Sequence, residues 1–213
     1  MIARPTRVVS VGVLTCTLVL TGCSKETTAS PPSVSSSSAA DSTGSTSGST
    51  SGSTSGASGS ATIAEGDEVS GRSGGFTVVP PEGWTEATDK ADGVADIDLV
   101  LLSSKKVDAF ANNLVVTASD GDQSVLDDEL AKGRQQLVAA GRTVSSAPDK
   151  TVSGSTAVGF TTTFQQQGVK VLARSYGVTR DGRVYLLTLS SSQDDATHAM
   201  AEFDELLSTW TWT

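Results

Sequence analysis

The amino-acid sequence predicts an α+β domain, an antiparallel sheet flanked by helices, placed after a signal peptide and a disordered tether. Three observations predict it. Apolar residues alternate with polar ones at Ile97, Leu99 and Leu101, at Leu114, Val116 and Ala118, and at Val158, Phe160, Thr162 and Phe164. That is the period-two pattern of half-buried strands. Two segments, opening at Ser124 and Ser192, space their apolar residues three and four apart instead, as amphipathic helices do. Between two strand-like runs, Asp181-Gly182 is the dipeptide of a tight hairpin.

Ahead of this domain, Arg4 and Arg7 precede an apolar run from Val8 to Leu20, and Leu20-Thr21-Gly22-Cys23 follows. The run has the size of a secretory signal and falls short of the roughly 20 apolar residues that span a bilayer. Small residues ending on a cysteine read as a bacterial lipobox. Residues 1–22 are then a lipoprotein signal peptide, cut between Gly22 and Cys23, and the Cys23 thiol accepts diacylglycerol. The expected address is the extracytoplasmic face of the cell membrane, held there by acyl chains of the palmitate class. Cys16 leaves with the signal and Cys23 is consumed by lipid. The rest of the chain has no thiol for a disulfide or a cysteine metal site.

Residues 23–71 read as the tether. Ser24 to Ser60 is almost wholly Ser, Thr, Gly and Ala, with Ser-Thr-Ser-Gly repeated at Ser45–Gly48, Ser49–Gly52 and Ser53–Gly56. Such a segment has nothing to bury against the entropy of ordering it. As a flexible coil it spans roughly 35–40 Å. A spacer through wall polymer and an O-glycosylated stalk both fit the composition.

The domain is placed at residues 72–213. From Arg72 to Thr213 there are 12 Lys and Arg against 19 Asp and Glu, a net charge of −7. That balance argues against nucleic acid, whose phosphates are met by clustered cations. It argues equally against a grip on anionic lipid headgroups, which leaves the acyl anchor to hold the protein at the membrane. Phe76 to Val79 forms a first strand stopped by Pro80-Pro81, and Gly83-Trp84 turns the chain. The second strand runs from Ala95 with Asp96 and Asp98 on its polar face, and the third carries Leu114. Asp120-Gly121-Asp122 leads to a helix capped by Ser124 with Asp127 three residues on. Leu126, Leu130, Gly133 and Leu137 make its buried stripe, with Gly133 marking close approach to the sheet, and Gly141 ends it. Three further strands follow. The one from Val184 to Ser190 is apolar on both sides and therefore central. A last helix with Ala196, Ala199, Met200, Phe203 and Leu207 inward leads to Trp210 and Trp212.

Phe76-Thr77-Val78-Val79-Pro80-Pro81-Glu82-Gly83-Trp84 resembles the strand and Pro-x-Gly-Trp opening of PsbP-like domains. Phe203-Asp204-Glu205-Leu206-Leu207-Ser208-Thr209-Trp210, with Trp212, resembles their closing helix and tryptophan segment. With the lipobox and tether, the chain resembles LpqN-type lipoproteins of actinobacteria from about Gly75 to Trp212. The resemblance implies an α/β/α sandwich used as a non-catalytic binding or accessory module of the cell envelope, with no catalytic residue to carry over.

The candidate chemistry is thin. Gly71-Arg72-Ser73-Gly74-Gly75 spells a nucleophile elbow, but an elbow needs a strand before it and a helix after it. His198, the one histidine, is expected as a solvated partner of Glu202 one turn on. Asp120 and Asp122 hint at a calcium loop whose twelfth position holds Ala131. Asp96 and Asp98 are available as an acid–base pair or as solvated strand-face charges. Trp84, Trp210 and Trp212 fit either a core closed at the chain's ends or a surface for a ligand or partner. No metal or cofactor is expected. The expected function is a lipid-anchored, extracytoplasmic binding module for an envelope protein, lipid or glycolipid. The alternative is a carrier or sensor of an apolar ligand such as an acylated lipid, motivated by the two-sided apolar strand Val184–Leu189. A hydrolase is the third.

Overall fold

The computed structural model describes residues 67–213, so the lipobox at Cys23 and most of the tether lie outside the described residues. β1 (Val69–Ser70) and β2 (Phe76–Val78) form a hairpin, and β3 (Trp84–Glu86) follows the Pro80-Pro81 break. A single 3-10 turn at Thr88–Ala91 leads to β4 (Ile97–Val107), β5 (Phe110–Asp120) and α1 (Gln123–Ala139). Then come β6 (Thr143–Ser146), β7 (Lys150–Val152), β8 (Ser155–Gln166), β9 (Val169–Arg180) and β10 (Arg183–Ser192). α2 (Ala196–Ser208) and β11 (Thr211–Trp212) close the described chain.

The main sheet runs β3-β4-β5-β10-β9-β8-β6, with β7 also on β8, and a small sheet runs β1-β2-β11. Every pairing is antiparallel. The class is α+β and strand-dominated. β10 sits in the middle of its sheet, where the two-sided apolar pattern placed it. Val184 and Leu186 face α1 with Leu126, Leu130, Leu137 and Phe160. Tyr185, Leu187 and Leu189 face α2 with Ala199, Phe203 and Leu206. Covering on both faces thus accounts for the apolar run that motivated a ligand carrier.

Tight turns set the register. Asp181-Gly182, Gln167-Gly168, Ser153-Gly154 and Asp108-Ala109 each carry positive φ at both residues, the conformation that matches strand twist. α1 ends as expected: Gly141 takes φ 75, and the Arg142 N–H donates back to Leu137 O at 3.0 Å. Gly133 is buried on the expected stripe. α1 meets the sheet closely at Gly177 of β9, where a Cβ would stand 2.4 Å from Leu126 Cδ1.

Several expectations need correction. The cap of α1 is Asp122, whose carboxylate accepts from the Ser124 and Val125 N–H groups at 3.0 and 3.2 Å. Asp122 is extended and one oxygen reaches both orphan donors, so it displaces Ser124 from that role. Asp127 instead accepts from the Gln123 side chain. The strand from Ala95 begins at Ile97, because Asp96 turns at φ 66. Asp98 is buried, at 3 % exposure, in a strand covered on both faces. β1 lies upstream of Arg72, so residues 69–71 belong to the fold and not to the tether. β6 and β7 were missed, being short and polar. In α2, Leu206 joins the buried stripe, and Ala196 and Met200 are half-buried.

Candidate functional site

The predicted residues fall at the two ends of the long strands. At the tether end, residues 71–75 lie as a strap across the start of β4. Ser73 donates both its N–H and its hydroxyl to Asp98, at 2.5 and 2.8 Å. Arg72 pairs with Asp92 at 2.5 Å and reaches Asp89 at 3.6 Å. The Asp92 hydrogen bond pushes the Arg72 guanidinium up from its ordinary value, against a smaller opposing effect of burial. Gly71 and Gly75 are held too tightly for a side chain: a Cβ at Gly75 would stand 2.0 Å from the Tyr185 hydroxyl. Thr213 bonds back to Gly74 and Gly75, closing the strap with the last residue of the chain.

Beneath the strap lies an aromatic cluster. Phe76 stacks on Trp210 at 4.0 Å with an interplanar angle of 18°. Tyr185 meets Phe76 edge-on at 5.9 Å, and Trp212 packs 5.1 Å from Tyr185. Trp84 and Trp210 are 7 % and 3 % exposed, so neither presents a binding surface. Trp212 is half-buried, and its indole N–H donates to Val152 O at 3.2 Å.

At the far end, His198 of α2 has Nδ1 3.4 Å from Glu202 and 3.8 Å from Asp195, with half of its side chain in solvent. The pairing with Glu202 is the expected one. Asp195 was missed as its second neighbour. Asp195 is buried, accepts from Asn112 Nδ2 at 2.6 Å and lies 3.7 Å from Lys105 Nζ. Asn112 and Asp195 stand 83 residues apart, so no local pattern announces the contact.

The predicted chemistry is scattered between these ends. Ser73 sits in a hairpin between β1 and β2, without the helix an elbow requires, and its hydroxyl proton is committed to Asp98. His198 and Lys105 both approach Asp195, and Lys105 stands seven residues along β4 from Asp98, roughly 23 Å at strand rise. Asp96 and Asp98 share no face, since Asp96 is exposed in a turn and Asp98 is buried under the strap. Asp122 is spent as a helix cap, and Asp120 ends β5. Among the described residues, no group of three His, Cys, Asp or Glu is placed to hold a metal ion. Among the same residues, no helix is long and apolar enough to cross a membrane.

The chain matches no family model, and no curated protein matches it in sequence. Solved structures resemble it at low identity. Cyanobacterial PsbP from Synechocystis is 18% identical, with a TM-score of 0.49, over 74% of this chain and 98% of that one. LpqN of Mycobacterium tuberculosis, described as involved in cell envelope biogenesis, is 16% identical, with a TM-score of 0.47, over 65% and 83%. A Bacteroides thetaiotaomicron protein is 15% identical, with a TM-score of 0.49, over 70% of this chain. The chain spans about half of that protein, 49% of its length. PsbP-like proteins and LpqN are therefore among the neighbours, at a distance that says nothing of activity.

Proposed function

We propose that this protein is a membrane-anchored lipoprotein whose PsbP-like domain serves the cell envelope as a non-catalytic binding module. The anchor rests on the lipobox ending at Cys23 and the Ser/Thr/Gly tether behind it. The non-catalytic reading is carried by one observation: Ser73 and His198, the residues a hydrolase would pair, stand at opposite ends of β4. Nucleophilic catalysis requires them within hydrogen-bond reach of each other. The PsbP-like assignment is supported by packing within this chain. The opening and closing segments that carry the resemblance meet directly, through the Phe76–Trp210 stack and the pairing of Trp212 with Phe76. A long tether suits weak binding, because it holds its domain at high local concentration near membrane partners.

The test is fractionation of cells making the full chain or its Cys23→Ala variant. Wild type is expected in the membrane fraction and the variant in the soluble fraction. Membrane retention of Cys23→Ala at the wild-type level would sink the anchor. Turnover of an ester, peptide or glycoside that is lost on His198→Ala would overturn the non-catalytic reading.

A further inference from the structure

One face of β8 carries Phe160, Thr162 and Phe164 in alternation, and on that face Phe160 packs with Leu126, Leu130 and Leu137 of α1. Each ring carries a guanidinium. Arg142 lies 4.0 Å over Phe164. Arg134 of α1 lies 5.4 Å over Phe160, and its Nη2 donates to Gly159 O at 3.1 Å. A guanidinium stacked on a ring keeps its N–H groups in plane, free to donate sideways. Here such donors are buried and unused: Arg134 Nε, Arg142 Nη1 and Thr162 Oγ1 have no hydrogen-bond partner among the described residues. Thr162 is 2 % exposed, and it stands midway between the two rings, roughly 7 Å from each at strand rise. Buried polar groups are nearly always paired, so a donor orphaned over each ring, with an orphaned hydroxyl between them, singles out this strand face.

We propose that this face binds a phosphate group, either as a free anion or small phosphate ester or as a lipid headgroup. The inference rests on the reading of the domain as a binding module and names the chemistry of its ligand. Guanidiniums flanking a hydroxyl suit a tetrahedral oxyanion, which offers an oxygen to each, better than a planar carboxylate. The surroundings agree in charge. From Asp67 to Thr213 the chain has 12 Lys and Arg against 21 Asp and Glu, yet β6, β8, β9 and β10 hold no carboxylate at all. Neither Arg134 nor Arg142 forms an ion pair among the described residues. Across the sheet from Thr162 come Ala173 and then Ser190, which continue the floor with short side chains. Arg142 and Phe164 are half-buried and form the mouth above it. Net charge governs how the whole surface meets a polyanion such as nucleic acid, whereas a single phosphate answers to the donors around it.

The test is calorimetric titration of the full-length lipoprotein, purified in a neutral detergent, with inorganic phosphate, glycerol 3-phosphate and dihexanoyl phosphatidylglycerol. Saturable binding of at least one is expected. Binding of either of the first two places the source among free phosphates, and binding of the lipid alone places it in a headgroup. Arg142→Gln, which breaks no ion pair, and Thr162→Val, which keeps the shape, should each weaken binding by about tenfold, the size of one lost charge-assisted hydrogen bond. Without ligand, Thr162→Val should unfold at an unchanged or higher temperature, because it removes an unpaired buried hydroxyl. A hydroxyl with a merely structural role would lower that midpoint and leave affinity intact. No binding of any of the three to wild type, or binding indifferent to both substitutions, would overturn the site. The binding-module reading fails separately, by turnover that is lost on His198→Ala.

Discussion

The two ends of the long strands are built on opposite principles. At the tether end, Phe76, Tyr185, Trp210 and Trp212 pack ring on ring beneath a strap that admits no extra side chain at Gly75. At the far end, the contact that matters is polar: one buried aspartate, Asp195, shared by Asn112 and Lys105. Apolar area removed from water stabilises at about 25 cal/mol per Å², whereas a polar brace contributes little net energy and mainly fixes geometry. One end closes the fold and the other fixes a hairpin. Trp210→Ala tests the first half of that contrast most severely. It removes the stacking partner of Phe76 and should cost about 3–5 kcal/mol, read by denaturant unfolding. A loss below about 1 kcal/mol, the size of an average substitution, would place the closure elsewhere.

The second half is tested at Ala109. A left-handed conformation costs an L-residue about 1–2 kcal/mol, and glycine escapes that cost while adding some freedom to the unfolded chain. Ala109→Gly should therefore stabilise the domain by about 0.5–1 kcal/mol, measured at the same unfolding midpoint. An unchanged or lower stability would show the β4–β5 turn to be relaxed and remove strain from the contrast.

How far the sequence foretold these ends depended on the range of the interactions. Asp181-Gly182 set a hairpin, the Leu126–Leu137 stripe set α1 and the apolar Val184–Leu189 run set the central strand, because each signal is local and period or turn chemistry suffices. Asp98 defeated the same reasoning. An aspartate between Ile97 and Leu99 reads as solvent-facing, but its donors come from Ser73, 25 residues upstream, and no period encodes that. The β4–β5 turn was invisible because alanine carries no turn signature, and β6 and β7 because their residues are few and polar. For Asp195, His198 was close at hand in the sequence, but Asn112 and Lys105 were not. The tryptophans were legible as important and ambiguous as to why. Only their neighbours decide, and those neighbours sit more than a hundred residues apart, as Phe76 and Trp210 do.

The smallest expected effect refines the electrostatics of the tether end. Glu129 of α1 is half-buried, and its carboxyl is pushed up from its ordinary value, first by that burial and then by the negative charge of Asp96, with Lys132 opposing. A carboxyl whose pKa is higher in the folded chain than in the unfolded one holds its proton more tightly when folded, so ionising it opposes folding. The penalty is absent below the ordinary carboxylate range, grows as pH rises through it, and is complete once pH exceeds the raised value. Glu129→Gln keeps the shape and removes the charge. It should raise the thermal midpoint at about pH 7 and lose that advantage near pH 3, where the wild-type carboxyl is already protonated. A gain that persisted unchanged at the lower pH would assign it to helix propensity or packing. A loss at neutral pH would mean that the attraction of Lys132 outweighs both burial and the Asp96 repulsion.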